Sequence, residues 1–216
     1  MAVVVAPARS PGREPSIPAL ENGDHLTRDE FERRWDAHPE LKRAELIDGV
    51  VFLEMTVGRR HGKHHSLVVA WLGSWVASHP DYELITNTSV RLLDNQELQP
   101  DVAIRFPDGD AATNAPVDGP PELVVEVAST SASRDLHRKR EIYLAAGVQE
   151  YVVWRLDDRR IDWWQNRHGR WISLEPDSAG RLTSASLPGL VLDVPAMLNG
   201  DLHDVLAATT TNYGRE

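Results

Sequence analysis

A chain of 216 residues without a single cysteine excludes disulfides, thiolate zinc sites and cysteine nucleophiles. Its length suits one ordinary domain, and no apolar stretch is long enough to span a bilayer. A net charge of -10 argues against a general nucleic-acid coat protein, which should be basic, though metal-binding carboxylates in a nuclease would add to the same negative total.

Residues 1–24, rich in Pro, Ala, Arg and Ser without periodicity, are expected to form a disordered arm. Residues 25–207 then form the folded domain, and 208–216 a polar tail. Thr27-Arg28-Asp29-Glu30 is a capping box opening a short helix, with Phe31 and Trp35 on its apolar side. Asp48-Gly49, between the apolar runs 44–47 and 50–55, predicts a hairpin. Leu67, Val68, Trp71, Leu72, Trp75 and Val76 fall at helical spacing, so residues 64–79 are expected to form an amphipathic helix. Strands follow over 82–86, 89–93, 100–106 and 123–128, with a loop over 108–119. A helix over 135–146 stops at Gly147. Residues 150–156, 160–165 and 171–173 alternate as a meander, and 195–206 close the domain as a helix. Trp163 and Trp164 are adjacent, so on a strand they face opposite ways.

Two carboxylates stand out within this pattern. Glu126 lies inside Leu123-Val124-Val125-Glu126-Val127-Ala128, an apolar strand, and Asp101 opens another. Burying a carboxylate is costly unless it is paired or holds a metal. Lys139 follows on a Lys/Arg-rich helix. Two strand acids with a lysine close behind are what Mg²⁺-dependent phosphodiester cleavage needs, because the ion takes oxygen ligands and keeps several waters. Bland alternatives stand beside each residue. Asp101 could cap a turn, Glu126 could pair with an arginine, and Lys139 could pair with Asp135 at i, i+4. Glu45, beside the hairpin, could be plain solvated surface. Arg134, Arg138 and Arg140 are either a wet helix face or a grip on flanking phosphates. His61 and His65 share a helical face only if that helix begins early, and no Glu completes a His-Glu-x-x-His zinc pattern, since Gly62 and Lys63 follow His61.

Taken in order, Glu45-Leu46-Ile47-Asp48-Gly49, a histidine-led helix, Pro100-Asp101, Glu122 to Val127, and Asp135, Lys139, Tyr143, Gly147-Val148 and Glu150-Tyr151 resemble the Uma2 family, also called DUF820, of the PD-(D/E)XK restriction-endonuclease-like superfamily. The resemblance spans roughly residues 27–206. It implies an α/β, restriction-endonuclease-like mixed central sheet flanked by helices, with a C-terminal β-meander. It implies Asp101 and Glu126 as metal ligands, Lys139 as the site lysine, Glu45 as an accessory acid and His65 as the helix-leading histidine lining the cleft. The parent superfamily carries its lysine two residues after the second acid, where this chain has Ala128; the family takes it from the following helix. The expected activity is Mg²⁺- or Mn²⁺-dependent endonucleolytic hydrolysis of DNA by a metal-activated water, in a cytoplasmic homodimer without membrane contact. The alternative is a catalytically silent nuclease fold that binds nucleic acid or protein. An enzyme site also predicts that Glu126→Gln relieves charge repulsion and raises stability without metal.

Overall fold

The computed structural model describes residues 17–53, 58–107, 115–128 and 135–210. Alternating apolar side chains build two sheets and a short C-terminal hairpin, with helices packed on both faces of the larger sheet.

Helix α1 (Arg28–Asp36) begins at Thr27, whose hydroxyl accepts the Glu30 N–H at 3.4 Å. Only half of the capping box forms, because the Glu30 carboxylate is held by Arg33 and Arg34. The hairpin of β1 (Ala44–Ile47) and β2 (Val50–Leu53) turns on Asp48 and Gly49 at φ 55° and 74°. Both central residues being left-handed is what a two-residue turn matched to strand twist demands. Met55 and its neighbours, expected to extend β2, lie outside the described residues.

Helix α2 (Arg59–Val76) starts five residues before the expected position 64. Strands β3 (Glu83–Thr86), β4 (Val90–Leu93), β5 (Gln96–Leu98), β6 (Val102–Arg105), β7 (Val117–Asp118) and β8 (Leu123–Ala128) follow. The expected loop over 108–119 therefore ends in a short strand, while 108–114 lie outside the described residues. A π-helical turn (Asp135–Lys139) runs into α3 (Arg140–Ala146), which stops at left-handed Gly147, φ 95°. Strands β9 (Glu150–Arg155), β10 (Arg160–Asn166) and β11 (Trp171–Ser173) form the expected meander. An unexpected hairpin, β12 (Arg181–Thr183) and β13 (Val191–Asp193), comes next. The expected closing helix is two, α4 (Val194–Asn199) and α5 (Leu202–Thr210), parted by left-handed Gly200.

The larger sheet has the order β11-β10-β9-β8-β6-β3 and is mixed: β8 pairs parallel with β9 and antiparallel with β6. The second has the order β2-β1-β5-β4-β7. Alternation along β8 sends Val125 and Val127 to one core, against Val68, Trp71, Leu72 and Trp75 of α2. Val124 and Ala128 face the other core, with Ile142 and Tyr143 of α3 and with Ile47 and Leu98 of the smaller sheet. Glu126 points to this second side.

Order also reaches further at both ends than composition implies. Leu20, inside the expected arm, is buried with Phe31, Leu46 and Val51, and the Gly23 N–H donates to the Val51 carbonyl. At the other end, Thr209 is buried and its hydroxyl donates to the Val191 carbonyl. No described helix is long and apolar enough to cross a membrane.

Candidate active site

Three elements bring one charged cluster together between the two sheets. On β1, Ala44 and Leu46 pack into the outer cluster with Phe31, so Glu45 turns inward with Ile47. On β8, Glu126 shares the face of Val124 and Ala128. Lys139, closing the π-helical turn, reaches between them: its Nζ lies 2.8 Å from Glu45 Oε1 and 3.1 Å from Glu126 Oε1. The Tyr143 hydroxyl, one helical turn on, donates to the same Glu126 oxygen at 3.0 Å. The lysine is only 2% exposed and the glutamates 1% and 3%, so this is an ion triad withdrawn from water. The Gln99 N–H also donates to Glu45 Oε1, at 3.0 Å, whereas Glu45 Oε2 is buried with no hydrogen-bond partner.

Asp101 sits one residue before β6, whose last pair with β8 is Val102 with Val125. Extending that register by one step sets Asp101 opposite Glu126. Its Oδ2 accepts the Val127 N–H at 2.8 Å, and its Oδ1 lies 3.2 Å from the Arg43 guanidinium and 3.3 Å from His61 Nε2. Burial alone would raise its pKa. The hydrogen bond and charge of His61, the Val127 N–H and the charge of Arg43 outweigh that and hold it at about 2. His61 in turn is raised, first by its hydrogen bond to Asp101. Because α2 starts at Arg59, His61 and His65 do share a face, their rings stacked 6.0 Å apart. His65 Nε2 meets the Asp101 backbone carbonyl at 3.0 Å.

The basic residues near Lys139 are arranged differently. Arg138 pairs with Asp48 and Glu141 at the surface. Arg140 lies over the Trp164 ring, 5.0 Å from its centroid. Arg134 lies outside the described residues, as does the side chain of Asp135. The fold thus gathers Glu45, Asp101, Glu126 and Lys139, keeps His65 at the edge, and turns Arg138 and Arg140 to partners of their own.

The family model of Uma2, described as "putative restriction endonuclease", matches residues 28–195. The chain belongs to the Uma2 family. Among solved structures, it is similar to the crystal structure of a "putative nuclease belonging to DUF820" from Anabaena variabilis, at 18% identity over 84% of this chain and 99% of that one, with a TM-score of 0.63. At that identity the likeness speaks for the fold. No curated protein matches this chain.

In this Uma2 protein the donor set suits a hard divalent cation in kind. Among the described residues no three His, Asp or Glu side chains converge tightly enough to hold an ion by themselves. A closed zinc-like cage is therefore not what these residues build. Mg²⁺ asks for less: one or two carboxylates, with waters and a substrate phosphate completing the octahedron. Asp101 and Glu126 on neighbouring strands meet that requirement, and the unpartnered Glu45 Oε2 is a buried acceptor left over by the protein's own donors. Sequence reasoning gave Arg43 no role, weighed His61 only as a zinc ligand, and named Tyr143 without placing it in the site. The Tyr143 position was visible as one turn beyond Lys139, but nothing in the sequence alone joins Arg43 to Asp101, 58 residues away.

Proposed function

We propose that this Uma2 protein is a Mg²⁺- or Mn²⁺-dependent endonuclease that hydrolyses DNA phosphodiester bonds at the Glu45–Asp101–Glu126–Lys139 cluster. The observation that carries this reading is the buried lysine between two buried glutamates, with a third carboxylate one strand away. Burying three acids and one lysine is a poor way to stabilise a fold, because desolvation offsets most of the Coulomb gain and an apolar set of similar volume does as well or better. Such a cluster is reasonable where charge is to be handled.

Asp101 and Glu126 would hold the metal. The bound ion would lower the pKa of a water and offset charge building on the phosphate. The remaining work belongs to the chain. Tyr143 fixes the Glu126 carboxylate through its hydroxyl, and the Gln99 N–H fixes Glu45. Lys139 supplies a positive charge held in place in advance; directed at the phosphate oxygens, it stabilises the pentavalent transition state without reorganisation. Glu45, with its spare oxygen, can hold the attacking water. That water's oxygen bonds to phosphorus as its proton passes to the Glu45 carboxylate, and the bond from phosphorus to the leaving oxygen breaks, the departing alkoxide taking a proton from solvent. Arg43 and His61, on the far side of Asp101, are the cations best sited for the substrate's phosphates, ahead of Arg138 and Arg140.

The test is cleavage of supercoiled plasmid and of single-stranded DNA with Mg²⁺, Mn²⁺ or EDTA, beside Glu126→Gln and Lys139→Ala. We expect nicking or linearisation only with metal, reduced at least 100-fold in both variants. No cleavage under any of these conditions, together with no calorimetric Mn²⁺ binding, would overturn the reading in favour of a silent binding module.

A further inference from the structure

A second polar cavity lies on the opposite side of β5 from the candidate active site, with a volume of about 470 Å³. That is within the range of small-molecule sites. Its walls include Glu32, Trp35 and Asp36 of α1, Arg91 of β4, and Glu97 and Gln99. Alternation along β5 explains the separation. Leu98 faces the core shared with α3, while Glu97, paired across to Leu46, faces the other way.

The hydrogen bonding of this cavity is unbalanced in one direction. Arg91 is committed to Glu32 by two bonds, of 2.6 and 2.7 Å, and reaches Asp118 at 3.5 Å. Glu97 is 1% exposed and Gln99 6%, yet Glu97 Oε2 and Gln99 Oε1 are both buried without a donor. Ser89 donates to the other Glu97 oxygen at 2.5 Å. The Glu32 carboxylate is near enough to raise the Glu97 carboxyl, so it brings a further acceptor and negative charge beside Glu97. Leaving a buried acceptor unmet costs about 1–3 kcal/mol. What Glu97 Oε2 and Gln99 Oε1 lack is therefore a donor, and with Arg91 bound to Glu32 the described walls carry an excess of negative charge. A closed metal cage is not built here, since among the described residues no three acids or histidines converge on one point; an open cation site is what the MgCl₂ control tests. An anion would face the carboxylates of Glu32, Asp36 and Glu97, with Arg91 already committed to Glu32.

We infer that this cavity is a binding site for an aliphatic ammonium of the diamine or polyamine class. One ammonium group supplies the missing N–H donors to Glu97 Oε2 and Gln99 Oε1. The methylene stem runs along Trp35, whose ring also favours a nearby cation. The exposed Asp36 at the rim takes the second charge. This inference does not depend on the nuclease reading, although the two sites share a wall, because the Gln99 main-chain N–H holds Glu45.

Acidity provides an internal control. Burial first, then the hydrogen bond and charge of Glu32, push the Glu97 carboxyl up to about 7, against the opposing hydrogen bond of Ser89 and charge of Arg91. An ammonium prefers the ionised carboxylate, so its binding expels a proton and tightens as pH rises past that value. Glu32, whose burial is outweighed by the hydrogen bonds and charge of its neighbours, Arg91 first, and Arg91, raised by the same bonds, stay charged throughout this range.

The experiment is titration calorimetry of the full chain with putrescine and with spermidine, at pH 6 and pH 8 and constant ionic strength, with MgCl₂ as the control ion. We expect saturable one-to-one binding that is several-fold tighter at pH 8 and not displaced by equal MgCl₂. Glu97→Gln should weaken it at least 10-fold and abolish the pH effect. Gln99→Leu, which removes the second acceptor without touching charge, should weaken it as well and serves if the first variant does not fold. No saturable heat at millimolar amine, or affinities unchanged in both variants, would overturn the inference.

Discussion

The buried carboxylates of this protein divide by how completely their oxygens are answered. Glu150 accepts from the Trp163 indole, two serine hydroxyls and two backbone N–H groups, and so ties the meander to the segment after β12. It has a structural role and no spare capacity. Glu45 and Glu126 instead share the Lys139 ammonium, beside the Gln99 N–H and the Tyr143 hydroxyl, and Glu45 keeps one oxygen unanswered. One ammonium offsets only one of the two carboxylate charges, so the gain expected from Glu126→Gln is the smaller effect. The sharper consequence concerns the lysine. Lys139→Met leaves two buried carboxylates uncompensated and should lower stability by about 3–5 kcal/mol. A triple variant, Glu45→Gln, Glu126→Gln and Lys139→Met, should recover most of it, since it removes the charges together. Urea denaturation followed by circular dichroism decides the matter. A Lys139→Met protein within about 1 kcal/mol of the parent, the scale of one ordinary net hydrogen bond, would mean that the triad is not held by charge.

At the scale of elements, the two turns flanking the site depend on left-handed glycines, but unequally. Gly49 sits at φ 74°, and a β-carbon there would lie 3.2 Å from the Leu26 carbonyl oxygen. Gly147 sits at φ 95° with its nearest neighbour, a Pro120 side-chain atom, at a comfortable 3.9 Å. Gly147→Ala should therefore cost about 1 kcal/mol from backbone conformation alone, and Gly49→Ala more, at about 2 kcal/mol. Equal losses in urea would show that the Leu26 contact relaxes freely. The Gly49 turn was legible in the sequence because Asp-Gly between apolar runs has one common solution. Strand β8 was legible too, since a short apolar run with one carboxylate has few places to go. Strand β5 was not, because Gln96-Glu97-Leu98 carries one apolar residue in three and owes its burial to its neighbours. The early start of α2 was hidden because Arg59-Arg60-His61-Gly62-Lys63 offers no apolar residue to set a period, and with it went the pairing of His61 to Asp101. The π-helical turn leaves no trace in a 3.6-residue pattern. It nonetheless ends on Lys139, which is buried, directly after the exposed His137 and Arg138.

For the whole molecule, the open question is what covers the edge of the larger sheet. Its outermost strand on one side, β11, is three residues long and pairs only with β10 among the described residues. Trp171 tucks inward, packed against the α3 core, so Ile172 faces outward and is 42% exposed. A short strand is one way proteins blunt an edge, but an apolar residue there works against that protection. Duplex cleavage would also gain from two sites presented to two strands. We therefore expect a homodimer joined along β11, and Ile172→Lys to convert it to monomer by placing a charge where two copies would meet. Sedimentation velocity at micromolar protein reads both states, and far-UV circular dichroism confirms that the variant keeps its fold. A parent protein that sediments as a monomer would exclude this edge as a stable interface. A dimer indifferent to Ile172→Lys would move the interface elsewhere, most simply to Phe106 beyond β6, which is 50% exposed near the opposite edge of the same sheet.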